Sequence, residues 1–62
     1  MREYTNSEII ALIDERIHNE RNRKILKRRL IDGITYEKLA EEFELSVAQI
    51  KRIVYTNENK IF

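Results

Sequence analysis

The chain has 62 residues, 42% of them apolar and 37% charged, with one glycine, no proline and no cysteine. A chain of that length makes one domain, residues 1–62, and buries only about 60% of the surface that its unfolded form exposes. The missing cysteines exclude a disulfide staple and a thiolate metal site. A lone His18 supplies no metal cluster, and no apolar run approaches the roughly 20 residues of a membrane span.

So few chain breakers point to an all-α fold. The N-terminus leads straight into a helix-start signal with no secretory pattern before it. The expected location is therefore the cytoplasm, at the nucleoid if the source is bacterial or phage. The net charge is only +1 and names no partner, but its distribution is uneven. Seven of the twelve basic residues lie between Arg16 and Arg29, and the segment that follows is acidic.

Thr5 and Glu8 have the spacing of a capping box, in which each side chain satisfies an orphan backbone N–H, and Tyr4 and Ile9 stand where a hydrophobic staple would clasp. The first helix is expected over about residues 6–18, with Ile9, Ile10, Ile13 and Ile17 along one face. Asn19 or Asn22 caps a second helix, and Glu20 favours its N-terminal dipole. Ile25, Leu26, Leu30 and Ile31 form its apolar stripe. Arg21, Lys24 and Arg28 share an outer face, and Arg23 and Lys27 lie on the flank. Gly33 supplies a left-handed C-terminal cap.

Thr35 caps a third helix over about residues 36–43, with Leu39, Ala40 and Phe43 inward and an Ile34–Leu39 staple. Ser46 and Gln49 form a second capping box, and Leu45 with Ile50 a second staple. The fourth helix turns Ile50, Ile53, Val54 and Ile61 inward. It presents Ala48, Lys51, Arg52, Tyr55 and Asn59 outward, and Phe62 folds back toward the core. The expected fold is a compact four-helix domain with a C-terminal helix-turn-helix over residues 35–57. A steep crossing there needs a small contact residue, Ala40, and apolar partners at Leu39, Phe43, Leu45, Ile50 and Ile53.

From Arg23 to about Tyr55 the segment resembles region four of bacterial sigma factors and related small phage or mobile-element regulators. The shared pattern is an arginine-led helix, Gly33, the pair Thr35–Tyr36, Leu39–Ala40, Ser46 and Ile50–Lys51–Arg52. Primary sigma factors tolerate an acidic residue at the turn where Glu44 stands. Physically, Glu44 must then sit near the left-handed region. Val47 and Ala48 occupy positions where sigma factors carry long polar readers, and nothing in the chain resembles the promoter-melting region. The resemblance implies DNA binding, a role in transcription regulation and an RNA polymerase contact.

The outer face of the fourth helix suits a major groove of double-stranded DNA. Lys51 and Arg52 can donate to guanine O6 and N7, and Val47 and Ala48 can touch thymine methyls. Thr35, Tyr36, Ser46, Tyr55 and the basic Arg23, Lys27 and Arg28 are the candidate backbone contacts. The basic run has a plainer reading as a solvated face that pairs with Glu37, Glu41 or Glu42. His18 is expected on the surface, paired with Asp14. The broad isoleucine arc of the first helix points to a homodimer through residues 9–17. Adjacent Asp14 and Glu15 face apart, and neither a glycine-rich phosphate loop nor a nucleophile–base pair is present, so neither an enzyme nor a cofactor is expected. The alternative function is a protein-docking module that engages RNA polymerase or a replication partner through the same fold.

Overall fold

The computed structural model describes residues 3–62, and the chain is all-α. Four helices follow in order: α1 (Asn6–Arg16), α2 (Glu20–Leu30), α3 (Tyr36–Phe43) and α4 (Val47–Ile61). The described residues measure 28 × 21 × 17 Å along the principal axes. α4 packs against all three other helices, α2 touches α1 and α3, and α1 and α3 do not meet. The long C-terminal helix is thus the centre of the domain, with α1 at one end of its length and α3 at the other.

Local signals place each helix start. Thr5 N–H donates to Glu8 Oε1 at 2.9 Å and Glu8 N–H returns to Thr5 Oγ1 at 3.2 Å. The same reciprocal pair closes at Ser46 and Gln49, at 2.9 and 3.1 Å. Asn19, rather than Asn22, caps α2 by accepting from the Asn22 N–H, and Thr35 caps α3 by accepting from the Lys38 N–H. Each bond satisfies an amide that the helix itself leaves unpaired.

The core consists of Ile13, Ile17, Ile25, Leu26, Leu39, Ala40, Ile50, Val54 and Ile61. Burying a large aliphatic side chain stabilises by about 1.5–3 kcal/mol relative to leaving it exposed. Asn57 joins this set although it is polar, and its amide Nδ2 donates to the Ile53 carbonyl at 2.7 Å. That bond to the preceding turn lets a short amide occupy an inward position. It also completes an inward row of Ile50, Val54, Asn57 and Ile61, which carries α4 on to Ile61.

Several expectations change at α1. The helix ends at Arg16, two residues early, and Ile17 turns extended at φ −112° and ψ 119° while its side chain stays buried. Arg23 explains the stop: its Nε donates to the Ile17 carbonyl and its Nη2 to the Asp14 carbonyl at 2.9 Å, capping the last turn from the neighbouring helix. Asp14 pairs with Lys27 Nζ at 2.9 Å, not with His18, which is exposed. Ile10 also points away from the core and is 37% exposed. It follows Ile9 by about 100° around the helix, too far to share the face centred on Ile9, Leu12 and Ile13. Of residues 9–17, expected to form a homodimer seam, Ile13 and Ile17 are buried in the chain's own core. Tyr4, expected to staple Ile9, packs on Phe62 with ring centroids 5.2 Å apart.

Both helix ends near the middle of the chain use the left-handed region. Gly33 has φ +68°, and the Ile34 N–H returns to the Arg28 carbonyl at 3.2 Å. Glu44 has φ 55° and ψ 44°. Its N–H reaches the Glu41 carbonyl at 3.4 Å, and the Leu45 N–H reaches the Ala40 carbonyl at 2.9 Å. That bond pair is a Schellman motif, a turn that ordinarily recruits glycine. Glu44→Gly is expected to stabilise the domain by roughly 0.5–1 kcal/mol, because a β-carbon costs energy in that region. Differential scanning calorimetry would show Tm rising by a few degrees. A lower Tm would mean that the Glu44 side chain contributes more than its strained backbone costs.

Candidate nucleic-acid interface

The short turn between α3 and α4 sets the exposed face of α4 beside the start of α3. Around the α4 axis, Ile50, Val54, Asn57 and Ile61 point inward, so Ala48, Arg52, Tyr55 and Asn59 project from the opposite side. Lys51 lies on the flank that faces α3. Arg52 and Ala48, together with Gln49, border an open depression of about 340 Å³. No acidic residue stands in the first turn of α4. The Gln49 side chain is tied down by its cap bond, since Oε1 accepts from the Ser46 N–H.

A cluster of rings and cations adjoins this face. The Tyr36 and Tyr55 rings meet edge to face, with centroids 6.3 Å apart. The Arg29 guanidinium lies 4.4 Å from the Tyr36 ring centre, and Lys51 Nζ lies 5.8 Å from it. Arg29 is fixed from the other side by a 3.0 Å bond from Nη1 to the Ile34 carbonyl. Such contacts pre-set the ring and hold two positive charges on one surface. The interaction with the Tyr36 hydroxyl holds the Tyr55 phenol above its ordinary value of 10.0, with Glu58 adding to the shift and Arg29 opposing it.

The remaining candidates fall into two groups. Thr35 and Ser46 are exposed at their helix starts, and each hydroxyl oxygen accepts a cap bond while its O–H stays able to donate outward. Val47 is half-buried against the core, which leaves fewer of its methyl groups for a base than the sequence implies. Arg23, Lys27 and Arg28 are engaged within the domain. Arg23 caps α1 and Lys27 pairs with Asp14. Arg28 donates from Nε and Nη2 to the two Glu42 oxygens at 3.1 and 2.7 Å and from Nη1 to Asp32 at 3.2 Å. The Arg28 guanidinium in turn holds the Glu42 carboxyl below its ordinary value of 4.5. A phosphate approaching these three side chains would have to displace bonds they already make.

Arg29 is the residue that sequence reasoning missed. It belongs to the same basic run, but only the Gly33 turn swings Tyr36 beneath it. Its one sequence signal is position: at i+4 from Ile25 and i+3 from Leu26 it borders the buried stripe instead of the outer face. Among the described residues no group of acidic, histidine or cysteine side chains is placed to hold a metal ion, and no helix is long and apolar enough to cross a membrane. No family model, curated protein or solved structure matches the chain.

Proposed function

We propose that the chain is a DNA-binding protein in which α3 and α4 act as a helix-turn-helix and α4 enters a major groove, serving as a small transcriptional regulator or accessory factor. The observation that carries this reading is the joining of Arg29, Tyr36, Lys51 and Tyr55 in one cluster beside the exposed α4 face that carries Arg52. Cations and hydroxyls of this kind neutralise and orient a phosphate backbone, while the α4 face meets base edges. The glutamates of α3 fit the reading in part: Glu42 neutralises Arg28, and Glu37 and Glu41 are exposed to solvent.

Binding to mixed-sequence duplex should be detectable by fluorescence anisotropy at low salt and should weaken steeply as salt rises. The slope of log affinity against log salt is expected near −0.9 for each phosphate neutralised. A folded protein that binds no duplex at low salt would overturn the reading. That result would favour docking to RNA polymerase or a replication partner. One observation already speaks for docking: the ion pairs of Lys27 and Arg28 remove much of α2 from any phosphate track.

A further inference from the structure

The sequence assigns Lys51 and Arg52 the same task, donation to guanine. We infer that they divide it: Lys51 anchors a backbone phosphate together with Tyr36 and Tyr55, and Arg52 alone carries base discrimination. This rests on the duplex-binding reading above and specifies how that face works.

Helix geometry separates the two side chains first. Consecutive residues of a helix point about 100° apart, so they cannot both occupy the centre of its exposed face. Arg52 sits at that centre, one turn on from Ala48 and opposite the buried row. Lys51 sits toward α3, one turn before Tyr55 and 5.8 Å from the Tyr36 ring.

Their surroundings differ in the same sense. Lys51 Nζ lies over the Tyr36 ring, the same ring that Arg29 and Tyr55 contact, with Glu58 the acidic neighbour of Tyr55. An ammonium is a compact point charge that matches a phosphate oxygen, and tyrosine hydroxyls add directed donors. Around Arg52 is the open depression bordered by Ala48 and Gln49. Among the described residues Arg52 makes no ion pair, so its planar fork is available for the paired acceptors of a guanine edge. Gln49 does not compete for base reading in the bidentate adenine mode while its Oε1 is held by the cap.

The test is selection from a duplex pool randomised over about ten base pairs, roughly one helical turn, with wild type, Lys51→Ala and Arg52→Ala, followed by salt titrations on the best and worst recovered sequences. Lys51→Ala should leave the recovered sequence preference unchanged, lower affinity for all sequences by a common factor and reduce the salt slope by about 0.9. Arg52→Ala should flatten the preference at one base pair, shrinking the ratio of best to worst affinity roughly tenfold. Tyr55→Phe should behave like a weaker Lys51→Ala. Circular dichroism melts should be unchanged for all three, since each side chain is exposed. A changed base preference in Lys51→Ala, or an unchanged one in Arg52→Ala, overturns the division while duplex binding stands. Absence of duplex binding by wild type at low salt overturns the binding reading itself, and the division falls with it.

Discussion

Ala40→Leu should destabilise the domain by about 1–3 kcal/mol through overpacking. Ala40 is 9% exposed at the place where α3 meets α4, and its carbonyl accepts the Leu45 N–H that closes the turn. A larger side chain must push the two helices apart or leave its preferred rotamer. A domain of this length holds roughly 3–9 kcal/mol in all, at 0.05–0.15 kcal/mol per residue, so the loss is a large share. Thermal melts followed by circular dichroism would report it as a fall in Tm of the order of 4–8 °C per kcal/mol. The same separation would shift Tyr36 relative to Lys51 and Tyr55, so any duplex affinity should fall with stability. An unchanged Tm would show that the α3–α4 contact has room to spare and that Ala40 does not set its closeness.

Arg23→Ala should cost about 1.5–3 kcal/mol, the range for hydrogen bonds to a charged group. Arg23 donates to the Asp14 carbonyl in the last turn of α1 and to the carbonyl of Ile17, the residue that caps it, where the helix provides no partner. Its Nη1 also stands 3.9 Å from Glu20, a contact too long and exposed to add much. Arg23→Lys should recover little, because one ammonium cannot reproduce a fork that reaches two carbonyls. Duplex affinity, measured at a temperature where the variant stays folded, should change by less than about twofold, as expected of a group that makes no phosphate contact. If affinity falls while Tm stays put, Arg23 belongs with the phosphate contacts after all.

Both substitutions concern residues that the sequence marks, yet the sequence assigns only one of them its neighbour. Ala40 is legible as a crossing residue because its offsets to Leu39, Phe43, Leu45 and Ile50 are local. Arg23 is legible only as one cation in a basic run. What it touches depends on how α2 lies against the end of α1, and that is fixed by Ile13, Ile17, Ile25 and Leu26 packing together.

The sequence by itself determined the four helices and the starts of α1, α3 and α4, because cap bonds at Thr5, Thr35 and Ser46 act within a few residues and need no tertiary partner, while it left the α2 cap open between Asn19 and Asn22. It also determined the left-handed turns at Gly33 and Glu44, and most of the core, because burial follows the helical period. Tertiary structure alone decided three things. Ile10 is left out of the core because the other helices cover only one arc of α1. Asn57 is drawn in because a bond to Ile53 offsets the cost of burying its amide. Among the cations, Lys27 and Arg28 are spent on Asp14, Asp32 and Glu42, while Arg29 is carried onto Tyr36. Charge pairing between helices depends on which side chains packing brings within a few ångströms, and the hydrophobic pattern of one helix does not encode the charges of another.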